Sequence, residues 1–156
     1  MENVYRTTKC FGVNGQGKCK GAFPKGFIKW IQEMQWWGEK RIYLCSGGIE
    51  DKDAVTVDIR PETNPSLLGD ARDTKLPAES FDIVIIDPPY TKQLAKDYYG
   101  TDAVYSGVNS FTKEGERLCK KGGLIVTLTY EIPKRIPNCE FIAVCGVYTV
   151  PYTGYM

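Results

Sequence analysis

Apolar runs alternate with glycine, proline and acidic residues along the chain, and this pattern predicts the strands of a sheet. The runs are rich in β-branched residues and apolar at consecutive positions, which is typical of parallel strands buried on both faces. They predict strands at residues 41–45, 54–58, 66–71, 81–86, 124–129 and 141–150. Apolar residues at helical spacing predict helices at about 25–37, 91–99 and 110–121. The chain is therefore predicted to be α/β.

The N-terminal segment differs from the rest of the chain because it shows no periodicity. Residues 1–22 contain four glycines and three lysines, so we predict a loop or mobile arm there. Such an arm could contact phosphates, or it could be a floppy terminus. Because 156 residues are enough for one core, we predict a single domain over residues 23–156.

The connections between the first predicted strands are short. Five residues separate Gly48 from Ala54 and seven separate Asp58 from Ser66, whereas a parallel crossover that carries a helix needs about a dozen residues. We therefore predict that these crossover helices are reduced to loops. The helix at 25–37 alone would then cover one face of the sheet, and a second copy of the chain could bury the remaining apolar surface. This predicts a homodimer.

The composition narrows the possible chemistry. The chain has no histidine, which excludes Ser-His and Cys-His nucleophilic catalysis. Its six cysteines include no Cys-x-x-Cys pair, so we predict reduced structural thiols and no metal site. An enzyme with this composition has to work with carboxylates, backbone groups and a bound cofactor.

The distribution of charge and the hydropathy of the chain indicate which partners and which cellular compartment to expect. Lys and Arg outnumber Asp and Glu in residues 1–40 and 112–156, whereas the acids outnumber them in residues 41–111. This distribution could hold an anionic polymer over an acidic pocket, or it could be scattered solvated charge. No apolar run approaches the roughly 20 residues that span a bilayer, and the first residues do not have the layout of a signal peptide. We therefore predict a cytoplasmic protein that has no membrane segment.

The predicted strand at 81–86 ends in Asp87-Pro88-Pro89-Tyr90, which is the main candidate for chemistry. The two prolines cannot donate hydrogen bonds to a sheet, so the backbone after Asp87 is stiff and its carbonyl groups are left free. Asp87 adds a carboxylate acceptor and Tyr90 adds a flat aromatic ring. Acceptors beside a ring suit an amino group on a planar ring. The alternative is a strand end followed by a Pro-Pro turn.

These four residues resemble the Asp-Pro-Pro-Tyr motif of amino-methyltransferases that use S-adenosylmethionine, above all those that methylate N6 of adenine in nucleic acid. The resemblance extends over about residues 23–150. It implies a compact Rossmann-like sheet of the class I methyltransferases. The chain is predicted to depart from that sheet in its reduced crossover helices and in a seventh strand that is missing or truncated. It also implies that Asp87 and the Pro88 carbonyl orient the amine, that Pro89 stiffens the turn, and that Tyr90 stacks on an extruded or single-stranded base.

Candidate cofactor residues follow the other predicted strands. Glycines after the first strand let backbone amides approach a ligand closely. Asp58 ends the second strand and is placed to take both hydroxyls of a ribose, which is its role in the resembled family; a strand-end cap is the alternative. The resemblance adds adenine contacts after the third strand and a methionine contact before the first helix, where a structural helix entry is the alternative. The candidates are Phe23, Pro24, Cys45, Ser46, Gly47, Gly48, Asp58, Asp70 and Ala71, with Asp73 as the substitute for Asp70.

The resemblance implies methyl transfer from S-adenosylmethionine to an exocyclic amine, with adenine N6 in DNA as the favoured acceptor. RNA adenine and a protein glutamine amide remain as alternatives, and so does a non-catalytic partner subunit that binds S-adenosylmethionine. No stretch of the sequence is left over for a target-recognition domain. Sequence specificity would therefore come from a separate recognition partner, from residues 1–22 or from a single-stranded substrate. The predicted partners are nucleic acid, with DNA favoured over RNA, and a second copy or a recognition subunit.

Overall fold

The computed structural model describes residues 4–12, 23–34, 37–99 and 107–150. The architecture is α/β, as predicted, with a parallel sheet of five strands and a second, two-stranded parallel sheet. None of the described helices is long and apolar enough to cross a membrane. The strands and helices in chain order are β1 (Tyr5–Gly12), α1 (Phe27–Glu33), β2 (Arg41–Leu44), β3 (Ala54–Asp58), β4 (Leu67–Leu68), β5 (Phe81–Ile86), α2 (Lys92–Tyr99), α3 (Val108–Leu118), β6 (Cys119–Thr127) and β7 (Ala143–Val150).

The order of the five strands determines where a ligand can bind. The order is β4-β3-β2-β5-β6, and all neighbouring strands are parallel. The chain builds the sheet outward from β2 to β4 and then crosses back to place β5 on the other side of β2. Strands β2 and β5 therefore flank a topological switch point, the usual binding position in open α/β sheets. This order is compatible with a Rossmann-like fold.

One face of the sheet packs against α3. Alternate side chains of β2 and β5 form a core cluster there with side chains of α3. The helix lies close to the sheet because Gly115 faces it: a Cβ atom at Gly115 would lie only 2.9 Å from Cδ1 of Ile86. Burial of the cluster holds β5, which carries the candidate motif, inside the fold. The buried members are Ile42, Leu44, Val57, Ala71, Phe81, Val84, Ile86, Phe111 and Leu118.

The opposite face is covered by both α1 and β1. The prediction that the helix alone would cover it is wrong, because Phe11 of β1 is also buried there. The apolar surface from which the homodimer was predicted is correspondingly smaller, and the homodimer stays a prediction. The buried members of this second cluster are Phe11, Phe23, Phe27, Ile31, Tyr43, Ile83, Ile85 and Leu128.

Strand β1 lies in the segment that was predicted to be a loop or mobile arm, so that prediction is wrong for Tyr5–Gly12. The strand pairs in parallel with β7, from Tyr5 opposite Ala143 to Gly12 opposite Val150. The sequence pattern hides this strand because most of its residues are polar and exposed, and its pairing partner is distant in the chain. Residues 1–3 and 13–22 of the predicted arm lie outside the described residues.

The short crossovers follow the prediction, with local differences in the bounds of the elements. Within residues 37–99, no α-helix connects β2 with β3 or β3 with β4, and the second connection contains only the 3-10 turn Pro61–Thr63. The first helix and the third strand are shorter than predicted, and β6 begins earlier, at Cys119 directly after α3. Strand β7 confirms the last predicted strand. Its described neighbour is β1, so it extends the smaller sheet instead of the larger one.

Candidate functional site

The carboxyl ends of β2, β3 and β5 meet at one edge of the sheet, at the topological switch point. Leu44 is paired with Val57 of β3 and with Ile86 of β5, so the residues that follow these strands are neighbours. The pairing continues past the strand ends, because the Asp87 amide donates to the Leu44 carbonyl at 3.1 Å and the Ser46 amide donates to the Val57 carbonyl at 2.9 Å. The structure thus brings together the candidates predicted after these three strands.

Cys45 lies within this edge, and its ionisation reflects the charges around it. Burial raises the pKa of the Cys45 thiol well above its usual value, and the carboxylates of Asp58, Asp87 and Asp70 raise it further. The thiol therefore stays protonated and is a poor nucleophile. Cys45 also has a φ of 59°, in the left-handed region that residues with a side chain seldom adopt. Backbone strain of this kind often occurs at ligand sites.

Asp87 is buried at the end of β5, and its carboxyl has a raised pKa. The residue is 9% exposed. Burial raises the pKa of Asp87 to about 7, although a hydrogen bond from Tyr90 opposes the rise. The Tyr90 hydroxyl donates this bond to Oδ1 of Asp87 at 2.8 Å. A buried carboxyl that titrates near neutrality is a candidate for function, because a structural acid is normally kept ionised by its partners.

An aromatic pair lies beside Asp87. The ring centroids of Tyr90 and Tyr130 are 4.3 Å apart, and the ring planes are inclined by 30°. Both residues line a cavity of about 400 Å³ between α1, β6 and β7, whose walls include Phe27 and Trp30. A planar ring in this cavity would meet aromatic surface, and the cavity adjoins the motif through Tyr90, whose hydroxyl is bonded to Asp87.

Sequence reasoning did not select Tyr130, although a signal for it was present. Tyr130 comes directly after the fifth predicted strand, and Tyr90 comes shortly after the fourth. Neighbouring parallel strands end at the same edge of a sheet, so the residues that follow them are expected to meet. In the structure the Leu128 amide donates to the Ile86 carbonyl at 2.8 Å, and this bond continues the pairing of β5 and β6 up to the aromatic pair.

Asp58 is buried, and both of its oxygens are engaged within the protein. It is 1% exposed. Its Oδ2 accepts from the Gly47 amide at 2.8 Å, and its Oδ1 accepts from the Arg60 amide at 2.9 Å and from Arg60 Nε at 3.1 Å. This is the geometry of a strand-end cap. Ribose hydroxyls could reach the carboxylate only after the Arg60 side chain had moved, and the ribose contact stays a prediction.

Replacing Arg60 by methionine is expected to lower the free energy of unfolding in urea by about 2 kcal/mol. The buried Asp58 loses its charged partner but keeps two backbone amide donors. Arg72→Met is the matched control, because Arg72 forms the same kind of pair with the more exposed Asp70; there we expect a loss below about 1 kcal/mol. Equal losses of unfolding free energy in the two variants would show that burial of the Asp58 carboxylate does not increase the effect of removing its arginine partner.

The candidates after β4 have different environments. Asp70 accepts from Arg72 Nη2 at 2.6 Å and from the Arg72 amide at 2.9 Å, and the Arg72 side chain lowers the pKa of the Asp70 carboxyl. Ala71 is buried in the cluster under α3, so its side chain packs in the core. Asp73 is exposed. Of these three, Asp70 is the residue whose charge acts on Cys45.

The remaining cofactor candidates divide between the edge and the α1 face. Ser46 and Gly47 are buried at the edge, and Gly48 is exposed beside them. Phe23 is buried in the core cluster on the α1 face, which agrees with a structural helix entry. Pro24 lines the same cavity as the aromatic pair. The Phe23-Pro24 segment thus contributes to the core and to the cavity wall.

The acids at this edge differ in how they are neutralised. Asp58 and Asp70 are each paired with the arginine two residues further along the chain, whereas Asp87 is held by the Tyr90 hydroxyl. A cation or an amine would therefore find an acceptor at Asp87.

Among the described residues, no group of three or more His, Cys, Asp or Glu side chains could hold a metal ion. Comparison of the chain with protein-family models, with curated proteins and with solved structures finds no match.

Proposed function

We propose that the protein is an S-adenosylmethionine-dependent N-methyltransferase that acts on an exocyclic amine, adenine N6 in DNA. The observation that carries the proposal is the buried carboxyl of Asp87 on a stiff Pro-Pro support, beside the Tyr90 ring and at the switch point of a parallel sheet. The resemblance of these residues to the Asp-Pro-Pro-Tyr motif supports it. So does a strand order compatible with the Rossmann-like sheet of class I methyltransferases.

The acceptor amine has two N–H groups, and the motif offers two acceptors for them. We propose that one N–H donates to Asp87 and the other to the Pro88 carbonyl, which fixes the orientation of the nitrogen. Since Oδ1 of Asp87 already accepts from the Tyr90 hydroxyl, Oδ2 is the oxygen available to the amine. Asp87 accepts most strongly when it is ionised. Burial raises the pKa of Asp87 to about 7 in the protein without ligand, and a bound sulfonium lowers it, so transfer is expected to weaken only at a pH below about 7.

The residues at the edge also fit a cofactor that carries a ribose and a positive charge. When bound, S-adenosylmethionine supplies a methyl group activated by a sulfonium. We propose that the backbone of Gly48 and the carboxylate of Asp70 hold its polar groups, and that Asp58, oriented by the Gly47 amide, takes the ribose once Arg60 has moved. A cation bound near Asp87 lowers the pKa of that carboxyl. It therefore favours the ionised form, which accepts a hydrogen bond from the amine.

A labelled transfer assay tests this function. The protein is incubated with S-adenosylmethionine labelled in the methyl group and, in separate and in competing reactions, with single-stranded DNA, duplex DNA, RNA and a protein mixture. We expect label in DNA, more in single strands than in duplex, since single-stranded bases need not be extruded. Nucleoside analysis is expected to place the label at N6 of adenine. Label mainly in RNA or in glutamine would overturn the proposed acceptor.

A non-catalytic S-adenosylmethionine-binding subunit is the second candidate, and the engagement of Asp58 by Arg60 is the observation that favours it. The same assay separates the two functions. Cofactor binding by calorimetry without transfer to any of the polymers would support the binding subunit. Absence of both binding and transfer would refute both functions.

A further inference from the structure

The Arg60 side chain engages both oxygens of the buried Asp58 carboxylate. Its Nε donates to Oδ1 at 3.1 Å and its Nη2 donates to Oδ2 at 3.3 Å. The side chains of Arg60 and Asp58 are 6% and 1% exposed. A guanidinium that binds a carboxylate in this way presents a planar fork of donors, one to each oxygen. A ligand that donates to Asp58 from the same side therefore has to replace the guanidinium.

The backbone around the pair is held independently of the Arg60 side chain. Oδ2 of Asp58 also accepts from the Gly47 amide at 2.8 Å, and Oδ1 accepts from the Arg60 amide at 2.9 Å. The Arg60 carbonyl accepts from the Thr63 hydroxyl at 2.8 Å and from the Thr63 amide at 3.3 Å. Pro61 follows Arg60 directly and restricts its backbone further. The guanidinium can therefore leave by rotation about side-chain bonds alone.

Removal of the guanidinium would leave one open acceptor position on each oxygen of Asp58. The two neighbouring hydroxyls of a ribose carry two donors and can replace Nε and Nη2 one for one. The number of hydrogen bonds to Asp58 is then conserved, but a charge-assisted pair has to be broken first. When only the open form binds a ligand, the apparent affinity is reduced by the fraction of molecules that are open.

We propose that Arg60 is a latch: its guanidinium closes the Asp58 carboxylate in the protein without ligand, and the ribose of S-adenosylmethionine binds only to the form in which the guanidinium has moved away. This inference rests on the proposed function and adds a means of regulation to the same site. The closed form lowers the apparent affinity for the cofactor.

The latch predicts opposite effects of a single substitution. Arg60→Met is expected to make the protein without ligand less stable, because a buried charged pair is lost. The same substitution is expected to raise the affinity for S-adenosylmethionine, because no guanidinium competes with the ribose for Asp58. If Arg60 only held Asp58 in a productive orientation, its removal would lower the affinity as well as the stability. The sign of the change in affinity therefore separates a latch from a positioning residue.

Arg117→Met is the matched control for the loss of an arginine from a buried acid. Arg117 Nε donates to Oε2 of Glu114 at 2.8 Å, and its Nη2 donates to Oε1 at 2.7 Å. Glu114 is buried, as Asp58 is. This pair lies near the end of α3, which leads directly into the first residue of β6, whereas Asp58 is at the carboxyl end of β3. The control thus removes a similar pair at the other end of the sheet.

The first test measures the Kd for S-adenosylmethionine by calorimetry in the full chain. We expect Arg60→Met to bind about 5- to 50-fold more tightly than the unaltered protein. Arg60→Lys is expected to show a smaller gain, since an ammonium still competes but cannot present a planar fork to both oxygens. Arg117→Met is expected to stay within about twofold. Equal or weaker binding by Arg60→Met would overturn the latch.

A second test observes the guanidinium itself, by NMR of protein labelled with ¹⁵N in arginine. The Nε signal of Arg60 is identified by its absence from the spectrum of Arg60→Met. We expect this N–H to exchange slowly with water in the protein without ligand, because it is buried and bonded, and to exchange rapidly at saturation with S-adenosylmethionine. An Nε–H that stays protected in the saturated protein would overturn the latch.

The outcomes distinguish the latch from the enzyme. Tighter binding by Arg60→Met without transfer to any polymer would retain the latch and refute the enzyme. Transfer by the unaltered protein with equal affinity in Arg60→Met would retain the enzyme and refute the latch. Binding of S-adenosylmethionine to neither protein would refute both.

Discussion

Asp87→Ala is expected to lower the rate of methyl transfer at least about 100-fold, because the amine loses the carboxylate that orients it. Affinity for S-adenosylmethionine is expected to fall by less than about tenfold, since one unpaired charge is a modest part of cofactor binding. Transfer is measured with saturating S-adenosylmethionine and a single-stranded oligodeoxynucleotide that contains one adenine. Affinity for S-adenosylmethionine is measured by calorimetry. The expected signature is a loss in kcat with a folded protein that still binds its cofactor.

Asp82→Ala is the matched control for this variant. Asp82 lies on the same strand, β5, near its opposite end, and its Oδ1 accepts from Lys120 Nζ while its Oδ2 accepts from the Lys40 amide. Removing it takes away an acid of the same strand without touching the switch point. We expect transfer to be retained. If Asp82→Ala and Asp87→Ala reduced transfer equally, the position of Asp87 at the switch point would have no special part in the reaction.

Asp87 is also expected to make the folded protein less stable as the pH rises from about 4 to about 7. Burial raises its pKa from an ordinary value of 3.8 to about 7 in the folded protein, so ionisation is harder in the folded state than in the unfolded one. For a raised pKa, the stabilisation is fully present below the unfolded value and is lost as the pH rises through the folded value. The difference between the two pKa values corresponds to a loss on the order of 4 kcal/mol.

Asp87→Asn isolates this effect, because the amide has a similar shape and does not ionise. Free energies of unfolding in urea are measured without cofactor at several pH values from 4 to 8 for both proteins. We expect the variant to gain stability relative to the unaltered protein as the pH rises, by an amount on the order of 4 kcal/mol at pH 8. Curves that run parallel over this range would show that Asp87 titrates at its ordinary pKa in the folded protein.

Local sequence pattern was sufficient for the elements that surround the switch point. Strand β5 and the motif after it could be placed because a continuous apolar run ending in Asp87 and two prolines has few other structures open to it. Asp58 could be placed for the same reason, since it ends an apolar run, whereas Asp70 lies two residues beyond a strand that is shorter than predicted. Counting residues between strands also predicted the helix-free crossovers, because a short segment cannot hold a helix and span a parallel connection.

The features that escaped prediction depend on contacts between distant or exposed groups. Strand β1 is polar at most of its positions and is held by its pairing with β7. Nothing in the local sequence of β1 indicates this pairing. The engagement of Asp58 by Arg60 depends on the loop after β3 folding back over the strand end, and a sequence pattern does not show which way a long side chain turns. Tyr130 is exposed, so no hydrophobic periodicity marks it.

The pairing of β1 with β7 has a consequence for the order in which the molecule folds. Tyr5 meets Ala143, so this small sheet closes a loop that contains nearly all of the described chain. Loop closure of that length is unfavourable until other contacts have shortened it. During synthesis β7 leaves the ribosome after all the other described strands. We therefore expect the wall that β7 contributes to the cavity beside Tyr90 to be completed last, after the five-stranded sheet and its acids.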